Sequence, residues 1–195
     1  MFLQTPADTD ATARLYQSDM EQQGFVMNLS RLWAWRPEVC EAFGALRTQL
    51  TGNSTLSHRE LAVIVCATAA TLGDSYCSLA WGARLAAAAD PSAAAAVLQG
   101  VENTGLTARD RALSAWARNV ARNPNGTMPQ DVEALRTAGF SEREIFEATA
   151  FVAFRVAFST INGALGARPD WQLAAAAPAE VNNAVTFGRP VAERN

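Results

Sequence analysis

Apolar residues recur at helical spacing along most of the chain, in blocks divided by Gly, Pro and Asn. Thr9 to Gln23 carries Leu15 and Met20 among polar residues, and Gly24 is a natural stop. Phe25 to Trp35 reads as a short helix that ends before Pro37, because a residue preceding proline avoids the helical region. Pro37 then suits the first position of a helix running to about Leu50, with Val39, Phe43, Leu46 and Leu50 on one face. The stretch Leu56 to Ala89 organises the rest: one apolar helix to Leu72, a break at Gly73, and a second helix opening on Asp74. Ser57 with Glu60 forms a Ser-x-x-Glu capping box, and the device recurs at Thr107 with Asp110 and at Ser141 with Glu144. Asp90-Pro91 starts a helix that Gly100 ends, and Thr107 to Asn123 is amphipathic through Leu113, Trp116 and Val120. After the loop Asn123 to Gly126, Pro129 opens a helix closed by Gly139. Ser141 to about Gly166 is the longest segment, nearly all apolar in its middle, and should be central. Nothing in the pattern asks for a strand. The prediction is an all-α domain over residues 1–170, about eight helices, with 171–195 a tail of little periodicity that wraps a partner subunit or stays loose.

Composition narrows the function classes. The 195 residues suffice for one packed core. A net charge of −3 argues against nucleic acid, which needs a basic face, and no Lys/Arg block suggests a membrane surface. Met1 to Ala11 has neither a basic nor an apolar stretch, so no signal peptide is expected, and the apolar run Ala148 to Phe158 is too short to span a bilayer. Three cysteines, Cys40, Cys66 and Cys77, fit a reducing, cytoplasmic setting, and the single His58 leaves little for a metal site. Neither a metal nor another cofactor is expected. Small Ala-rich faces point to a homo-oligomer.

The residues from Gly24 to Asp170 resemble the carboxymuconolactone decarboxylase and alkylhydroperoxidase D superfamily, above all its peroxidase-related branch. The resemblance rests on Gly24-Phe25-Val26-Met27-Asn28, Arg36-Pro37-Glu38, Leu56-Ser57-His58-Arg59-Glu60 and Gly73-Asp74-Ser75-Tyr76-Cys77, in that order. Leu135 to Ser141 and Asn162 to Asp170 are similar in style to its later helices. It implies an all-α fold, self-association and an antioxidant peroxidase activity. Active members carry Cys-x-x-Cys at a helix start, a His four residues beyond the second Cys, and a Glu twelve before the first. A thiolate stabilised by the helix N-terminus is oxidised, the other thiol resolves the sulfenic acid, and Glu and His shuttle protons. Laid on this chain, the second Cys is Cys77, while Asp74, Trp81 and Ala62 stand where the first Cys, the His and the Glu would be. The resemblance thus implies a member without the dithiol machinery, limited to one-thiol peroxide chemistry at Cys77 with an outside thiol.

Each candidate has two readings. Cys77 is a functional thiol or a small packed residue. Asp74 is an N-cap or a carboxylate facing a pocket with Tyr76 and Cys77. Glu60 is the partner of Ser57 or a proton relay, and His58 should face solvent. Arg155, alone in an apolar helix, is either paired with Glu147 or a cap-region acid, or binds an anion beside Asp74 and Trp81. Trp33, Trp35, Trp81 and Trp116 read as core or interface, and Cys40 and Cys66 as core. Beside one-thiol chemistry stand two rivals: a non-redox binder or lyase built on Asp74, Arg155 and Trp81, and a purely structural subunit.

Overall fold

In a computed structural model the described residues, 1–194, form eleven α-helices and one 3-10 turn, with no strand among them. Eight helices are of nine residues or more: α1 (Asp10–Gln23), α3 (Pro37–Gly52), α4 (His58–Leu72), α5 (Ser75–Ala88), α6 (Pro91–Gln99), α7 (Ala108–Arg122), α8 (Pro129–Thr137) and α9 (Glu142–Ala164). Three have six residues: α2 (Asn28–Trp33), α10 (Trp171–Ala176) and α11 (Ala179–Ala184). The all-α expectation holds.

Helix α4 is the hub, packed against α5, α6, α7 and α9. Val63 through Ala67 are fully buried on every side of its middle turns, as a helix with no polar face requires. The three boxes read from the sequence all form, at Ser57, Thr107 and Ser141, and a fourth joins Thr9 to Thr12. Gly73 ends α4 with φ +68°, a conformation other residues avoid, and so turns the chain straight into α5. Two boundaries move. Helix α2 begins at Asn28 rather than Phe25, because Gly24 turns the chain out of α1 and Asp19 holds the Met27 amide at 2.9 Å. Helix α3 runs on to Gly52.

Residues beyond Pro169 fold back on their own chain. Val181 and Ala184 of α11 are buried against α5 and α6. The segment after α11 then crosses the start of α5, where the Ser75 hydroxyl donates to the Arg189 carbonyl at 2.7 Å. A side chain at Gly188 would strike the Gly73 carbonyl and the Ser75 amide, so only glycine allows this crossing. Among the described residues no helix is long and apolar enough to cross a membrane, and no group of three or more potential metal ligands occurs.

Candidate functional site

The site grows from the first turn of α5. Asp74 is its N-cap, and the Asp74 Oδ1 accepts from the Cys77 amide at 3.0 Å. That places Cys77 in the first turn, with its sulfur turned toward α9. There Arg155 Nη2 donates to Cys77 Sγ at 2.9 Å, and the Ser159 hydroxyl, one turn further along α9, lies 4.0 Å away. Cys77 is 3% exposed and forms part of the floor of a cavity of about 350 Å³. Tyr76, Trp81, Arg155 and Phe158 line it, with Met27 and Leu29 on the α2 side.

Two forces oppose each other at the thiol. Burial disfavours the thiolate and Asp74 adds a negative charge, while Arg155 and Ser159 favour it. Burial wins, and the Cys77 thiol is pushed up to about 12, so it stays protonated at neutral pH. Cys66, wholly buried, is pushed up by burial and then by Cys77, and Cys40 to about 11 mainly by burial. All three cysteines are free.

The walls are fixed by partners outside the cavity. The Tyr76 hydroxyl donates to Asp170, which also accepts from the Asn28 amide at 3.0 Å. Phe158 stacks on Trp33 with centroids 5.4 Å apart, and Trp33 Nε1 donates to Asn162 at 2.8 Å. Arg155 is 4% exposed, yet no carboxylate oxygen among the described residues lies within 4 Å of its nitrogens, and its Nε has no partner at all. The expected pairing with Glu147 does not occur, since that carboxylate is taken by Arg143 at 2.7 Å and by Ser54 at 2.6 Å.

Of the residues singled out in the sequence, Cys77, Tyr76, Trp81 and Arg155 meet at this cavity. Asp74 does not line it. Its capping geometry turns the carboxylate back over the helix end, and Oδ2 is left buried without a partner beside a second cavity, with Gly73, Tyr76 and Asn162. Glu60 lies at the far end of α4, held by Ser57 and by Arg109 at 2.5 Å. His58 borders an apolar groove with Leu61, Trp81 and Arg84. Sequence reasoning missed Arg84, Arg47 and Phe158. Arg84 stands seven residues after Cys77 and three after Trp81, on one face of α5, and that spacing was a usable signal. Arg47 reaches the cavity from α3 through tertiary packing and leaves no local sign.

No protein-family model and no curated protein matches the sequence. Solved structures do. A peroxidase-related protein from Silicibacter sp. TM1040 is 27% identical, with a TM-score of 0.75 over 93% of each chain. An alkylhydroperoxidase AhpD-core, peroxidase-related protein from Ralstonia eutropha JMP134 is 24% identical, with a TM-score of 0.73 over 96% of this chain and 97% of that one. The debrominase Bmp8 is 15% identical, with a TM-score of 0.72 over 95% of this chain and 97% of the other. A cysteine-to-alanine variant of that debrominase, solved with 2,3,4-tribromopyrrole, gives a TM-score of 0.69 at 16% identity over 93% of this chain and 94% of the other. The chain therefore shares its fold with these proteins and, at 27% identity, is similar to a peroxidase-related protein.

Proposed function

We propose that this protein keeps the peroxidase-related fold without the dithiol cycle and binds a small molecule in the cavity over Cys77. One observation carries the reading: Arg155 is buried, has no acid beside it, and faces the cavity with its charge uncompensated. A buried unpaired charge costs several kcal/mol, and an anionic ligand in the cavity would complete the pair. The protonated Cys77 and the replacement of the first thiol by Asp74 support the same view. So does the debrominase of this fold that was solved with a planar aromatic ring, 2,3,4-tribromopyrrole. A thermal-shift screen of small aromatic compounds on the whole protein tests it. Hits that raise the melting temperature, and that lose their effect in Trp81→Ala, are expected, whereas a flat screen contradicts the reading.

A second reading, one-thiol chemistry, is favoured by the Arg155–Cys77 contact, since a guanidinium at 2.9 Å stabilises a thiolate. In it the Cys77 sulfur attacks a hydroperoxide oxygen, the O–O bond breaks, and an alcohol leaves with the thiol proton, giving a sulfenic acid. An outside thiol condenses with the sulfenic acid and releases water, and a second outside thiol cleaves the mixed disulfide to restore Cys77. Hydroperoxide consumption that disappears in Cys77→Ser would support this route. Consumption no faster than buffer would exclude it.

The protein is also read as self-associating in a reducing compartment. Three free thiols support the compartment, and the exposed Val39 and Leu46 of α3 and Phe146 of α9 support the association. Light scattering at micromolar concentration checks the latter, and a monomer mass would contradict it.

A further inference from the structure

We infer that the cavity over Cys77 is a site for a planar aromatic acid, its carboxylate held by Arg155, Arg84 and Arg47 and its ring by Trp81 and Phe158. This rests on the binding reading above and gives it a ligand class. The three arginines come from three helices, α9, α5 and α3, and all line one cavity. Arg155 is buried at the floor, and Arg84 and Arg47 are exposed at the mouth. None of them is in an ion pair among the described residues. Like charge gathered without counter-charge is costly. Partial desolvation and then the neighbouring arginines lower both Arg47 and Arg84 from the usual guanidinium range. The acid in the lining is Asp19, and its Oδ2 already accepts from the Met27 amide. Three positive charges therefore face one negative one.

The aromatic neighbours of the guanidinium groups select the ligand further. The Arg84 guanidinium lies 4.6 Å from the centre of the Trp81 ring, and that of Arg155 lies 4.9 Å from Phe158 and 5.7 Å from Trp81. With aromatic rings beside them, these cations still have N–H donors to offer, in Arg155 the Nε that no group accepts from. A planar carboxylate accepts from a guanidinium through two parallel hydrogen bonds, and a neutral amide cannot. Arg155, nine-tenths buried in the lining, keeps an Nε with no partner of its own. Met27, Leu29, Trp81 and Phe158 give the wall an apolar stretch that suits a flat ring, beside the polar Gln22 and Gln23. A cavity of about 350 Å³ is at the small end of ligand pockets and has room for one ring and its substituents.

Isothermal titration of the whole protein with benzoate and with benzamide, at low and moderate salt, tests the assignment. Benzoate should bind at least tenfold more tightly than benzamide and weaken as salt rises. Arg84→Gln, at the exposed mouth and so harmless to folding, should weaken benzoate about tenfold and leave benzamide unchanged. Arg155→Met should abolish benzoate binding in a protein whose circular dichroism is unaltered. Benzamide binding as tightly as benzoate would overturn the acid class and leave the cavity reading intact. Failure of both to bind, at millimolar concentration, would overturn the two together.

Discussion

Two clusters of charge sit at helix ends in this molecule, and they are built on opposite plans. At the starts of α4, α7 and α9 each capping carboxylate is matched by an arginine. Glu60, Asp110 and Glu144 each close a capping box, and two arginines join the boxes to one another. Arg109 reaches Glu60 at 2.5 Å and Glu144 at 3.0 Å, and Arg59 reaches Asp110 at 2.6 Å. Burial raises the Glu144 carboxyl, but hydrogen bonds from Ser141, Arg109 and Thr55 more than reverse this and hold it down at about 2. Around the start of α5 neither charge meets an opposite one: Asp74 Oδ1 caps the Cys77 amide and Arg155 Nη2 meets the Cys77 sulfur, but Asp74 Oδ2 and Arg155 Nε are both buried without partners. The first cluster ties three helices together and is a device of stability. The second carries an electrostatic debt within the fold, as sites that await a ligand do.

The largest effect expected on this contrast comes from the matched cluster. Arg59→Met leaves the Asp110 side chain, 1% exposed, as a buried carboxylate without its cation, and should cost about 3 kcal/mol in urea unfolding. A loss below about 1 kcal/mol would place the pair among ordinary surface bridges. Next comes Tyr76→Phe, which removes the hydroxyl donor from the buried Asp170 and should cost about 2 kcal/mol. An unchanged stability would mean that Asp170 gains nothing from that bond.

The smallest effect on stability falls on the unmatched side. Asp74→Asn keeps a competent cap, so stability should change by less than about 0.5 kcal/mol. It also removes the negative charge beside a thiol held at about 12. A negative neighbour raises a thiol, so its loss must lower it. The pH profile of Cys77 alkylation by iodoacetamide should move to lower pH, and a profile left in place would contradict the assigned cause.

Most of the fold was written locally. A Ser-x-x-Glu or Thr-x-x-Asp spacing marks a helix start through contacts within four residues, and Gly73 marks a turn by itself, so α4, α5, α7 and α9 could be placed from text alone. The tie between the boxes could not, because Arg59 and Arg109 look like ordinary exposed arginines until three helix ends are brought together. The site divides in the same way. Arg155 was conspicuous, but its expected partner Glu147 stands eight residues earlier in α9, about 12 Å along the axis and out of reach. Of the two readings of Glu60, the relay would need it beside Cys77. The α4–α5 hairpin is antiparallel, however, and sets the start of α4 beside the end of α5, so His58 meets Ala87 and Ala88 instead. Arg47 is a case of pure tertiary placement, with no local trace at all.

The central claim is that the charge on Arg155 is uncompensated in the ligand-free protein, unlike the arginines at the capping boxes. Thermal unfolding of Arg155→Met, measured without ligand beside the wild type and Arg59→Met, tests this by the sign of its effect. Replacing an unpaired buried cation by an apolar chain of similar length should stabilise the protein, by about 1–2 kcal/mol. A melting temperature lowered as in Arg59→Met would mean that Arg155 is a structural ion, and the account of the cavity would be wrong.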